Sequence, residues 1–379
     1  MGKIKIAVIG VGNCFSALYQ GLEYYKNATE EDNIPGIMFS NIGGYLPKDI
    51  EVVAAFDVDS RKVGLPVGEA IFQHPNCARV FQKDVPAGPV VQMGNPLDGM
   101  SDYMLNERED KGFRLADGET VDVVQVLKDS GADILLNYVP VGSQKATEFY
   151  AQAAIDAGVA FLNCIPVFIA SNPEWEQKFI DAGLPIIGDD MRSQFGASVL
   201  SQILQELAFD RGAEVDFHQQ INIGGNTDFN NMMVQSRLAS KKESKENVIR
   251  SQNDIRHISL AKDSLFAGPS TFIPYLDDNK VAYFNLRLRG FGDAPITLDA
   301  KLSVCDSENS AGVVIDAIRY LKVAREMGMV GTINGPSAFT QKTPKYQMMY
   351  KDALAECKAL ANRELTEVTR RENHFKAQD

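Results

Sequence analysis

The sequence predicts an α/β protein: a parallel sheet with helices on both faces, followed by a second domain built on an open sheet. Three observations carry this expectation. Short apolar, β-branched runs alternate with helical segments through about the first 200 residues. The first run ends in Gly10-Val11-Gly12, a tight turn feeding a helix. After about residue 200, apolar and polar residues alternate one by one, as in antiparallel strands with one wetted face.

The elements follow in order. Residues 3–9 (KIKIAVI) read as a buried parallel strand, and 13–25 as the helix after the turn. Residues 28–49 are rich in Gly, Asn, Pro and acids and read as a loop insertion, with a second strand at 50–56. A turn-rich stretch spans 83–118. The alternation resumes with helix 121–130, strand 133–138, helix 143–157, strand 159–164, helix 173–182 and strand 184–188. Residues 214–223 and 281–305 alternate in strand fashion, and a Gly/Pro break divides the second. Helical spacing returns at 311–325. The tail after about 349 mixes both charges and keeps a stripe of Leu354, Cys357, Ala361, Leu365 and Val368.

Composition narrows the function. The chain has 379 residues, 45% of them apolar, which suits two domains or three and excludes disorder or coiled coil as a description of the whole. A net charge of −12 without a basic block argues against binding nucleic acid or anionic lipid. Five scattered cysteines with no CxxC suit a reducing, cytoplasmic setting. The opening apolar run is too short for a signal peptide or a membrane span, and no other stretch has membrane length. His74, His218, His257 and His374 show no metal-ligand spacing, and no GxSxG, P-loop or HExxH occurs.

The candidate residues cluster at turns. Gly10, Gly12 and Asn13 lie where a strand enters a helix, so backbone N–H groups there can face a pyrophosphate. The third glycine of GxGxxG is absent, with Phe15-Ser16 at that point. Asp57 ends the second strand, where it either meets an adenosine ribose, favouring NAD over NADP, or caps a turn. The loops at 137–142 and 188–193 follow parallel strands, the usual ligand side of such a sheet. In the second, Asp189 and Asp190 are adjacent, and a cation, ribose hydroxyls or Arg192 must balance them. Lys241 and Lys245 are four apart and share a helix face, either as a solvated surface or as a grip on a phosphate and a developing oxyanion. Lys280 and Lys342 are isolated, and Asp306-Ser307 reads as a helix N-cap.

In this order the segments GVGNCFSAL, AAFDVDSRKVG, NYVPVGSQKATEFYAQAAIDAGVAFLN, PVFIASNPEW, IIGDDMRSQFGAS, NIGGNTDFNNM, SKKESKENV, YLDDNKVAYFNLRLRGFGD and DSENSAGVVIDAIR resemble the myo-inositol-1-phosphate synthases of the shorter prokaryotic type, over residues 4–345. The resemblance implies a Rossmann-type NAD-binding domain at 1–200, completed by 307–345. It implies an inserted α+β catalytic and tetramerisation domain at 201–306 and a helical tail at 346–379. It implies cofactor contacts from Gly10, Gly12, Asn13, Asp57, Tyr138, Val139, Pro140, Gly142, Tyr150, Asp189, Asp190, Ser193, Asn226 and Asp228. The catalytic set it implies is Lys241, Lys245, Lys280 and Lys342, with Asp306 beside them. Two positions depart from the family pattern: Arg192 stands where lysine is common, and Lys342 sits in FTQKTP instead of a YLMKSP-like stretch.

The implied reaction is the NAD-dependent conversion of glucose 6-phosphate to inositol 1-phosphate: oxidation at C5, enolisation, aldol closure of C6 onto C1, and re-reduction. Its intermediates are anionic near O5, O1 or the phosphate, which suits positioned ammonium groups. A homotetramer is also implied, and the need for a divalent or monovalent cation is left open. Residues 28–49 and the loops around 226–247 are expected to close over the site. Two other classes stand beside this one: an NAD-dependent dehydrogenase of another sugar phosphate or amino-acid precursor, and a non-catalytic NAD-sensing regulator.

Overall fold

The computed structural model describes residues 2–256, 261 and 263–364, without the side chains of Gln235, residues 238–242 and Ser270. Its strands are β1 (Ile4–Ile9), β2 (Ile50–Asp57), β3 (Val91–Met93), β4 (Ile134–Asn137), β5 (Ala160–Asn163), β6 (Pro185–Ile187), β7 (Glu214–Gly224), β8 (Leu265–Phe272), β9 (Asn279–Arg289), β10 (Pro295–Cys305) and β11 (Gly331–Thr332). Its helices are α1 (Asn13–Tyr24), α2 (Val67–Ala70), α3 (Asp102–Leu105), α4 (Val123–Ser130), α5 (Gln144–Ala157), α6 (Pro173–Asp181), α7 (Ala197–Asp210), α8 (Thr227–Asn231), α9 (Gln235–Ile255), α10 (Asp306–Glu326), α11 (Asn334–Thr340) and α12 (Tyr350–Ala361).

Seven parallel strands form one sheet in the order β11-β6-β5-β4-β1-β2-β3. This is the doubly wound Rossmann arrangement: the order reverses between β1 and β4 and opens a crevice at the strands' carboxyl ends. The apolar runs are buried on both faces. Ile6, Val8, Leu136 and Leu162 pack with α1 and α10 on one side, and Ala7, Leu135 and Phe161 pack with α4, α5 and α6 on the other.

The second sheet has the order β10-β9-β7-β8, with β7 parallel to β8 and antiparallel to β9. Here β7 reverses the expected sidedness. Val215 is buried, but a bulge between Val215 and Phe217 turns the strand over. From there His218, Gln220 and Asn222 face inward at about 1% exposure, while Phe217, Ile221 and Ile223 are half-buried on the open face. Alternation gives the period of a strand and leaves open which face is wet. The described part of the tail, α12, packs its Ala353, Cys357 and Leu360 into the core; Leu365 and Val368 lie outside the described residues.

Residues 28–49 do not reach the cavity described below; they lie on α10. Fully buried Arg319 pairs with Asp316 and donates to the carbonyls of Phe39 (2.7 Å), Ser40 (2.9 Å) and Tyr45 (3.2 Å). Asp316 accepts from the Met38 N–H at 3.1 Å, and burial pushes its carboxyl up to about 6 while Arg319 pulls it back. Removing one partner of such a pair leaves a buried charge uncompensated. Arg319→Met should therefore lose about 3–5 kcal/mol of unfolding free energy in urea. A loss near zero would mean that the loop is held by its apolar contacts alone.

Candidate active site

The crevice at the β1/β4 reversal opens into a cavity of about 240 Å³ walled on its far side by β7, α8 and α9. Gly10 makes the turn possible. Its φ is +91°, and a Cβ there would lie 2.5 Å from the Tyr138 carbonyl oxygen. Gly12 serves the opposite purpose. Its φ of −97° suits any residue, yet it lines the cavity at the N-cap of α1, and a Cβ would project into open space. Phe15, at the position of the missing third glycine, is fully buried in the core. Asn13 bridges the two halves of the molecule, accepting from the Cys77 N–H at 2.7 Å and donating to Thr227 Oγ1 at 3.3 Å.

Asp57 holds the turn together. Its Oδ2 accepts from the Val11 N–H (2.7 Å), and its Oδ1 accepts from the N–H groups of Val58 (2.7 Å) and Asp59 (2.9 Å). Lys62, which the sequence reading passed over, donates to the Val11 carbonyl (2.7 Å) and to Asn76 (3.0 Å). Burial pushes Lys62 below its usual range, and Asp57 and Asp59 oppose that. Tyr138, Val139, Pro140 and Tyr150 line the cavity, and the Tyr150 hydroxyl accepts from the Asn95 N–H at 2.9 Å. Gly142 stands behind this wall, where a Cβ would meet Arg237 at 2.6 Å.

The adjacent acids point in opposite directions. Asp189 turns away from the cavity and accepts from Asn163 (2.7 Å), the N–H groups of Ile169, Ala170 and Ser171, and the Ser171 hydroxyl. It shapes the loop at 163–171 and does not line the cavity. Burial pushes its carboxyl up to about 6, with those donors pulling it down. Asp190 and Ser193 do line the cavity. Asp190 accepts from Lys342 (2.8 Å) and from the Ser244 hydroxyl (2.6 Å). Arg192 bonds to neither acid; it is buried and donates to the Gln341 carbonyl (2.6 Å) and to Gln202. Burial lowers Arg192 to about 10, and Glu206 and Asp190 resist that.

The lysines converge from three parts of the chain. Lys245 sits on α9 at 8% exposure, confirming a helix across 240–247; the side chain of Lys241 lies outside the described residues. Lys342 also donates to the Met191 carbonyl at 2.6 Å. Lys280 starts β9 and forms an ion pair with Asp306. Asp306 is the first residue of α10 and not its N-cap, which is Cys305, and its carboxylate turns toward Lys280. Lys245, Lys280, Lys342, Asn226, Asp228 and Asp306 all line the cavity that Gly10, Gly12 and Asp57 line. Gln220, Asn222, Asn231, Ser198 and Cys14 line it too, and the sequence reading did not single them out. For Gln220 and Asn222, on β7, the one signal was polarity at alternate strand positions; Asn231, Ser198 and Cys14 lie on helices and carried none. Among the described residues no group of three or more His, Cys, Asp or Glu side chains is arranged to hold a metal ion.

Behind Asp306 lies Asp278, 5% exposed and also passed over. Asn226 Nδ2 reaches both acids, at 3.3 Å each, and Ser307 donates to Asp278 through its N–H (2.9 Å) and hydroxyl (2.8 Å). Burial first, then the Asp306 charge, pushes Asp278 up to about 8. A carboxyl whose value rises on folding contributes fully below its unfolded value, near 3.8, and loses that contribution as pH rises toward 8. Asp278→Asn should accordingly gain stability relative to the parent between about pH 5 and pH 8, read from urea unfolding at both. A difference that stays flat, or shifts toward the parent, would mean that Asp278 is ionised in the folded protein.

Comparison with known proteins agrees with this architecture. A family model described as myo-inositol-1-phosphate synthase matches residues 196–307, the segment that carries α7 to the start of α10. The inositol-3-phosphate synthase of Mycolicibacterium smegmatis is 47% identical over 356 residues, covering 94% of this chain and 97% of the relative. That of Corynebacterium glutamicum is 46% identical over 348 residues, covering 91% and 94%. The crystal structure of Ari2 superposes with a TM-score of 0.75 at 33% identity, covering 96% of this chain and 99% of that one. With identity at this level spread across both sheets and the cavity between them, the chain belongs to the myo-inositol-1-phosphate synthase family.

Proposed function

We propose that this chain catalyses the NAD-dependent cyclisation of D-glucose 6-phosphate to 1L-myo-inositol 1-phosphate, with no net oxidation or reduction. The observation that carries the reading is a single cavity joining a dinucleotide-type glycine turn to Lys245, Lys280 and Lys342. The residues at the turn fit NAD. Open space above Gly12 and the positive end of α1 suit a pyrophosphate, and the Asp57 carboxylate would repel a 2′-phosphate. Bound NAD would supply a transient oxidation at C5 and reverse it after ring closure.

The chain's own residues do the rest. A ketone at C5 acidifies C6, and the charge that then develops on O5, and on O1 during closure, needs fixed positive groups nearby. Lys245, Lys280 and Lys342 meet that need in a walled site, where electrostatic interactions are less screened than in water. One lysine amine takes the O5 proton and returns it. Asp190 and Asp306 keep the Lys342 and Lys280 side chains in place. The first turn of α7 opens on the cavity between Ser193 and Ser198, a suitable seat for the substrate phosphate.

The half-buried Phe217, Ile221 and Ile223 and the exposed Tyr283 on the open face of the second sheet support self-association, which we read as a homotetramer. No described helix is long and apolar enough to cross a membrane, and we place the enzyme in the cytoplasm.

Incubation with glucose 6-phosphate deuterated at C5 and a catalytic amount of NAD tests the function. Inositol phosphate should form with its deuterium retained and without accumulation of NADH. Stoichiometric NADH, or label lost to the NAD pool, would identify a simple dehydrogenase, and no turnover at all a sensor.

The two glycines separate folding from cofactor binding. Gly12→Ala should unfold at the parent temperature, yet lose the stabilisation that added NAD gives the parent. Gly10→Ala should be destabilised without any cofactor, by about 1–3 kcal/mol, because its backbone conformation is strained for alanine. Equal NAD-induced shifts in melting temperature for parent and Gly12→Ala would remove the pyrophosphate from this turn.

A further inference from the structure

A file of buried polar side chains runs from the helix that carries Lys245 to the cavity floor. Asn253 on α9 donates to Gln205 on α7 at 3.0 Å. Gln205 Nε2 meets His218 Nδ1 at 3.1 Å, and His218 Nε2 meets Ser201 Oγ at 3.0 Å. Ser201 donates to Gln220 Oε1 at 2.8 Å, Gln220 to Asn222 Oδ1 at 3.1 Å, and Asn222 to the Gly268 carbonyl at 3.0 Å. Ser201, Gln205, His218, Gln220, Asn222 and Asn253 are all at most 1% exposed.

The donors in this file all point one way. A serine hydroxyl has one hydrogen, and Ser201 gives it to Gln220. Toward His218 it can only accept, so His218 carries its proton on Nε2. Nδ1 is then an acceptor, as the Gln205 amide requires, and the Gln205 oxygen is left to accept from Asn253. Reversing one member would set donor against donor at the next, in a place where water cannot compensate.

Gln220 and Asn222 form part of the cavity wall. Each spends one N–H and one oxygen lone pair inside the file and keeps one of each. We propose that His218 is a positioning residue: its Nε2–H tautomer matches the direction that the Gly268 carbonyl, which can only accept, sets at the far end of the file, and so holds Ser201 as donor to Gln220 and keeps Gln220 and Asn222 offering donor and acceptor to a hydroxyl of the bound sugar phosphate. This rests on the function proposed above. The imidazole itself stays out of the cavity wall and reaches the substrate only through Ser201 and the two amides. Burial holds it neutral, pushing it down to about 4, which fits a group that must not donate from both nitrogens.

Ser201 is where the direction can be broken. Ser201→Ala should raise KM for glucose 6-phosphate roughly tenfold, the usual effect of a lost buried hydrogen bond, with the dissociation constant for NAD unchanged. Ser201→Thr keeps the hydroxyl and should restore KM. The 2-, 3- and 4-deoxy analogues of glucose 6-phosphate then identify the hydroxyl. For one of them the losses from the analogue and from Ser201→Ala should fall well short of additive. Additive losses for all three, or an unchanged KM in a variant that merely melts earlier, would overturn the proposal. If Ser201→Ala does not fold, Ser201→Cys, with its weaker donor, is read by the same criteria. A parent enzyme that makes no inositol phosphate overturns the functional reading and this one with it.

Discussion

Asp190 places a carboxylate where water does not reach, and the site is assembled around the need to compensate it. Among the described residues, Lys342, 152 residues further along the chain, and Ser244, on α9, both bond to it. The backbone reinforces the junction. Lys342 N–H donates to the Asp190 carbonyl at 2.7 Å, and Asp189 and Thr343 exchange bonds at 3.0 and 3.1 Å. Three segments distant in sequence are thereby fixed at one point, and each brings a residue into the cavity: Asp190 itself, Lys245 and Lys342.

Two of the pocket's lysines are held in ion pairs. Lys342 leans on Asp190 and Lys280 on Asp306, so the ammonium groups are held without a large excess of buried positive charge before substrate arrives. An incoming phosphate and a developing oxyanion then meet groups that are already oriented and need little rearrangement. Asp278 sits one layer back, sharing Asn226 with Asp306, and keeps that second pair in register with the start of α10.

The parallel sheet was legible because its signals are local: a β-branched run, a glycine turn and helical period each depend on a few neighbouring residues. Asp189 and Asp190 were not separable in the same way. They are identical side chains one residue apart, and only the turn, with Asp190 at φ +62°, sends one toward the loop at 163–171 and the other into the cavity. Lys280 carried no local signal. Its place comes from pairing, opposite Gly224 on β7 and Val304 on β10, which brings it to the start of α10. The inward polar face of β7 was hidden by a bulge that alternation alone does not mark. The missing information was a turn's backbone for the two acids and strand pairing for Lys280 and β7.

The position of α10 bears on how the protein is made. One whole face of the parallel sheet is covered by α10 together with α1, and Arg319 on that helix holds the loop at 39–45. When a ribosome has finished β6, all but one of the strands of that sheet exist, but the helix that shields them has not been synthesised. The region from α7 to β10 has its own small core and is completed first. That region can therefore settle while the parallel sheet still lacks the part of its cover that α10 provides. A stall in translation between about residues 190 and 320 leaves the part of that face that α10 covers open to other chains.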